Sequence, residues 1–134
     1  VWNNALATTT NFTVGTSALT NGNTNGIVHY LFAKGVCHSY AGNGTMSNVV
    51  DFGYKPKMII AKRATAGTTG EFILYDNVRD TGDFDTAIYL NSNIAEYATS
   101  PIIELTATGI IIKSNNANLN AAGSSYILIA IPEL

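Results

Sequence analysis

From Ile27 onward the chain is interrupted by turn-forming residues every 8 to 14 positions. The segments between them are too short for helices of ordinary length, but they suit strands, whose side chains need only alternate between two faces. Strands are expected over residues 27–34, 36–40, 48–52, 58–62, 71–75, 87–90, 102–106, 110–113 and 125–131. Asn43-Gly44 signals a tight hairpin between the second and third of these. Pro56 sits just before the fourth, and Pro101 closes a loop over residues 93–100. About nine short strands and little or no helix predict an all-β fold, an antiparallel β-sandwich of jelly-roll type. Nothing repeats at a fixed period, which argues against a solenoid or propeller.

The composition agrees. Of 134 residues, 16 are Thr, 15 Asn, 12 Gly and 8 Ser, all poor helix formers. Charged residues are only 12% of the chain while apolar ones reach 46%, so a buried core is expected rather than disorder. The charge is −2, from seven basic and nine acidic residues. That leaves no basic footprint for a nucleic-acid backbone or an anionic membrane surface, and no apolar run is long enough to span a bilayer. Residues 1–33 carry no charge, whereas 11 of the 16 charges fall between Asp51 and Asp85. Residues 1–26 read as an uncharged arm or linker with one short strand near Phe12-Thr13-Val14, and residues 27–134 as a single domain. Without charge, the arm is expected to pack on something, a neighbouring subunit being one candidate. The start at Val1, with no basic and apolar leader pattern after it, suggests a fragment, a processed chain or a domain of something longer.

Residues able to do chemistry are few. A single cysteine, Cys37, excludes an internal disulfide and any multi-cysteine zinc site. Cys37 with His38, and His29 nearby, invites comparison with a nucleophile–base or metal pair, but a small half-buried thiol in a strand is the expected role. No nucleophile elbow, zinc-protease or phosphate-loop motif is present. Asp76 with Asp80, or Asp83 with Asp85, are the carboxylate pairs a glycosidase mechanism would need. The run Asp80-Thr81-Gly82-Asp83-Phe84-Asp85 has oxygen ligands at alternating spacing, as a calcium loop does, but lacks a closing bidentate Glu. It reads as a solvated acidic turn, with calcium a weak alternative and no other cofactor expected. In Tyr75-Asp76-Asn77-Val78-Arg79 the acid and the base leave a strand three residues apart. They are spaced for a charge-assisted clamp on the next loop, or for contact with a ligand.

Several segments in order resemble a known family. These are Tyr30-Leu31-Phe32, Tyr40-Ala41-Gly42-Asn43-Gly44, Phe52-Gly53-Tyr54-Lys55-Pro56-Lys57-Met58-Ile59-Ile60-Ala61-Lys62-Arg63, Tyr75-Asp76-Asn77-Val78-Arg79, Leu90-Asn91-Ser92-Asn93 and Tyr126-Ile127-Leu128-Ile129-Ala130. Together, over about residues 26–132, they resemble a β-rich domain of tailed-bacteriophage virion proteins, tail-fibre-like and other structural proteins common in marine phages. The resemblance implies a non-enzymatic virion domain that associates with other virion proteins and forms homo-oligomers, trimers above all. It implies no catalytic residue.

The leading expectation is a tail-fibre or spike domain that attaches to a glycan or protein of the host surface, located on the phage particle. Capsid decoration or a spacer role is the alternative, and a glycan-cleaving domain a more distant one. Exposed side chains in the loops at 41–45, 64–70, 80–85 and 115–123 would make the contacts by stacking and hydrogen bonding, with Tyr40, Asn43, Asp76, Arg79, Asp83 and Asn116 as the ligand-binding candidates.

Overall fold

The computed structural model describes residues 36–66 and 70–133. These residues form eight strands and no helix: β1 (Cys37–Ala41), β2 (Asn48–Asp51), β3 (Pro56–Arg63), β4 (Phe72–Asp76), β5 (Phe84–Tyr89), β6 (Tyr97–Leu105), β7 (Gly109–Ile112) and β8 (Ser125–Pro132). All pairings are antiparallel, in the order β1-β8-β3-β4-β5-β6-β7-β2. The all-β class expected from the sequence is the class observed. The expected strand at 27–34, the short one near Phe12, His29 and the arm at 1–26 lie outside the described residues.

Alternation makes the core. In β8 the side chains of Tyr126, Leu128 and Ala130 are buried while Ile127, between them, is exposed. Opposite β8, Ile59 and Ala61 of β3 face inward, in register with Ala130 and Leu128. Val50, Ile73, Phe84, Ile103, Ile110 and Ile112 bring β2, β4, β5, β6 and β7 to the same cluster. One core therefore serves all the strands that contribute to it. The ring of Phe84 stacks on Tyr75, centroids 6.1 Å apart, at its centre.

Three local expectations are corrected. β1 and β2 do not form a hairpin with each other, despite Asn43-Gly44: β1 pairs with β8 and β2 with β7, at opposite ends of the strand order. Residues 42–47 cross between them because their polar groups bind the 114–124 segment instead, with Gly42 N–H donating to Ser124 O at 2.7 Å and Gly44 N–H to Asn120 O at 2.9 Å. A Cβ on Gly42 would lie 2.2 Å from the carbonyl oxygen of Ala121, so only glycine allows that approach.

Pro101 does not end a loop but sits within β6. Ladder pairs run Phe84–Ile103 and then Thr86–Ala98, so residues 99–102 of β6 oppose a single residue of β5. In such a bulge the missing N–H of proline removes no ladder bond. Finally, β5 begins three residues earlier than expected, at Phe84. The last two residues of the run 80–85 are thus strand, and Asp80 is buried.

Candidate functional site: two loop ends and a polar cleft

Strand registers sort the candidate loops between two ends of the sheet. Arg63 pairs with Tyr126 and Ala41 with Ser125, which gathers residues 41–47, the start of the 64–70 loop and residues 114–124 at one end. Met58 pairs with Asp76 and Pro56 with Pro132, which puts the 76–83 loop at the other. Tyr40, Asn43 and Asn116 therefore belong to one group and Asp76, Arg79 and Asp83 to another. The six do not form a single site.

The first group is organised by Asn120, which nothing in its local sequence sets apart from the neighbouring asparagines. Its side chain is fully buried. Its Nδ2 donates to Thr45 O (2.6 Å), Ser114 O (3.0 Å) and Asn43 Oδ1 (3.1 Å), and its Oδ1 accepts from Asn43 N–H (2.9 Å) and Asn48 Nδ2 (2.8 Å). Asn43 Oδ1 also accepts from Thr45 N–H and Oγ1, so its carbonyl closes its own turn. Asn116 closes another by accepting from Asn118 N–H at 2.8 Å. Tyr40 donates to Leu119 O at 2.7 Å and stacks on Tyr126 at 5.0 Å, and burial pushes its phenol pKa well above the ordinary value. Expected as an exposed stacking group, Tyr40 is part of the inner wall. Residues 115–123, read as a plain loop, insert Leu119 and Asn120 into the interior.

Cys37 and His38 occupy successive positions of β1 and therefore opposite faces. Cys37 is exposed rather than half-buried as expected. The ring of His38 packs 4.6 Å from Phe52, with Nε2 3.1 Å from the hydroxyl of Tyr54. The two cannot act as a nucleophile–base pair.

At the other end the expected clamp forms. Asp76 Oδ1 accepts from the backbone N–H groups of Val78 and Arg79, both at 3.0 Å, and Oδ2 accepts from Arg79 Nε at 3.0 Å and faces Nη2 at 2.9 Å. Arg79 also donates to Leu74 O at 3.3 Å and faces Glu96 at 3.6 Å. Burial would raise the Asp76 pKa, but the bonds and charge of Arg79 outweigh it and hold the carboxyl below its ordinary value. Asp80 behaves likewise: burial opposes ionisation, and bonds from Thr86 and Asp85, including both backbone N–H groups onto Oδ2, lower the pKa. Asp83 Oδ1 accepts from Leu105 N–H at 2.8 Å, and Asp85 Oδ1 from the Thr86 hydroxyl at 2.9 Å. The three acids of the suggested calcium loop thus each serve a different donor. Among the described residues no group of three or more His, Cys, Asp or Glu side chains is placed to hold a metal.

Two predictions arise here. Arg79→Ala strips Asp76 of its charge-assisted partner and should cost about 1–3 kcal/mol, read as several degrees of Tm by calorimetry. Arg79→Lys should recover only part of it, because a lysine cannot reproduce the two-pronged contact. Second, Asp76 and Asp80 have folded-state pKa values below their unfolded ones. Their contribution is therefore complete above the ordinary carboxylate range and lost as pH falls through the folded values. Tm should hold between about pH 7 and 5 and drop below about pH 4. Asp80→Asn should lower Tm at neutral pH and flatten the acid decline, as thermal melts across that range would record.

Beside the clamp lies an open cleft of about 540 Å³. On one side is the ion pair of Lys55 and Glu133 (3.0 Å), whose backbones are also joined by Glu133 N–H donating to Lys55 O at 2.9 Å. On the other are Asn77, Thr81 and Asp83, with Leu105 contributing apolar surface. Asn77 N–H donates to Lys57 O at 2.9 Å, fixing the loop against the start of β3. The cleft is of ligand-pocket size and walled by polar groups on fixed backbone.

The fold and these two loop ends define an all-β domain with a rigid frame and a shallow polar recess. The chain belongs to a family described as a domain of unknown function, DUF7483, whose model matches residues 1–134. No curated protein and no solved structure matches it.

Proposed function

We propose that this chain is a non-enzymatic structural domain of a bacteriophage virion, carried on a tail fibre or spike, and that it attaches to a glycan or protein of the host surface. The observation that carries this reading is how the polar side chains are used. Asp76, Asp80 and Asp83 each commit one oxygen to backbone amides that fix the 76–86 loop. Such a loop is held for presentation, and carboxylates committed in this way suit a frame better than an acid–base pair. Attachment would use hydrogen bonding at the polar cleft more than the aromatic stacking expected from the sequence, since Tyr40 is turned inward. To test it, the purified full chain is added to host cells before phage. It should bind saturably and slow phage adsorption at least tenfold, and absence of binding would overturn the attachment role.

A second reading, decoration or spacing within the particle, draws on the outer face of the β1-β8-β3-β4 region. Its outward positions include Met58, Ile60, Phe72, Leu74, Ile127 and Ile129, with Phe72 and Ile127 exposed. An antiparallel sheet facing only water would carry polar residues there. This face suits contact with further copies of the chain, as the expected homo-oligomer requires. Light scattering of the full chain should give a multiple of 14.2 kDa, trimer favoured. Ile127→Lys should reduce it to the monomer, whereas a wild-type monomer would remove the oligomer from the account.

A further inference from the structure

We infer that the cleft between the Lys55–Glu133 pair and the 77–83 loop is a saccharide subsite selective for uncharged over acidic sugars, an inference that rests on the attachment reading above. Its size suits a small ligand partly enclosed by protein. Its walls mix donors and acceptors: the ammonium of Lys55, the amide of Asn77, the hydroxyl of Thr81 and the carboxylates of Asp83 and Glu133. That mixture matches sugar hydroxyls, which both donate and accept, while Leu105 offers apolar surface to the C–H face of a ring.

Charge sets the selectivity. One cation against two carboxylates gives 1 − 2 = −1 at the lining, and Lys55 already faces Glu133 at 3.0 Å. An acidic sugar would bring a further negative charge to a recess whose lining is already net negative, and like charges at that range repel. The site is also prearranged, because Asp83 is held by Leu105 N–H and Asn77 by Lys57 O, so binding need not order the loop.

Gly82 supplies a blocking variant. A Cβ there meets nothing within 4 Å, so a side chain can start at this position without a clash, and Gly82→Trp puts bulk into the lining of the cleft. The isotope-labelled full chain is titrated to millimolar concentration with neutral trisaccharides of glucose, galactose, N-acetylglucosamine and rhamnose, and separately with trigalacturonic acid, while amide signals are followed. At least one neutral sugar should shift Asn77, Thr81, Gly82 and Asp83 saturably. Gly82→Trp should weaken that binding at least fivefold at unchanged Tm, and the acidic sugar should bind at least fivefold more weakly. Equal or tighter binding of the acidic trimer would overturn the selectivity. Absence of shifts from every neutral sugar, in a chain that still binds host cells, would overturn the subsite and leave attachment standing. Absence of both would overturn the two together.

Discussion

Asn120→Ala is expected to lower Tm by about 15 °C or more, or to prevent recovery of folded protein. The side chain is fully buried and makes five hydrogen bonds, four to residues 43–48 and one to Ser114. Truncation leaves the Asn43 N–H and Asn48 Nδ2 donors and the Thr45 and Ser114 carbonyls short of a partner at once. A buried polar group so stranded costs about 1–3 kcal/mol, and bonds in one network fail together. A small domain holds only about 5–15 kcal/mol in all, so a loss above about 4 kcal/mol is severe. Asn120→Asp separates geometry from chemistry. It keeps the acceptor but loses the amide donors to Thr45 O, Ser114 O and Asn43 Oδ1, so it should fare nearly as badly. A Tm within about 3 °C of wild type for the alanine variant would mean that the two loops hold each other without it.

Phe84→Ala should cost about 3–5 kcal/mol, the usual range for emptying a phenylalanine site. Phe84 is inaccessible to solvent, stacks on Tyr75, and shares the core with strands on both sides of β5. The cavity would open where the β5–β6 ladder is already irregular, beside the 99–102 bulge. Phe84→Leu, which keeps much of the volume, should cost well under half as much. Urea melts of the three proteins give the comparison directly.

Phe84 also marks where sequence reading stops. Between Asp83 and Asp85 it looked like an aromatic in a solvated turn, and its burial depends on Asp80, whose carboxylate takes the Asp85 and Thr86 amides and steers the chain into β5. Nothing local announces that capture. The strands β3, β7 and β8 were legible because their apolar runs have strand length and lie between turn residues. β6 and β7 pair across a short turn that ends at Gly109, where a Cβ would fall 2.1 Å from Val50 O.

The supposed β1–β2 hairpin was misread for a reason of range: Asn43-Gly44 encodes a turn, and the partner of each strand is decided by the 114–124 segment, about 75 residues away. Asn120 was invisible for the same reason, one asparagine among several in a run whose composition suggests exposed loop. The Asp76–Arg79 clamp needed only a three-residue spacing after a strand, and it appears as expected. The cleft joins the chain near Lys55, the 77–83 loop and Glu133, and no spacing rule brings those together.

The central claim, a virion domain that meets the host surface, is tested most directly on the particle. Gradient-purified phage from the genome that encodes the chain would be labelled with a gold-conjugated antibody raised against the folded protein and viewed by electron microscopy. Label is predicted at the distal end of the tail or its fibres, one cluster per appendage. Label confined to the head would contradict the attachment role and favour decoration, and particles without label would contradict the virion assignment itself.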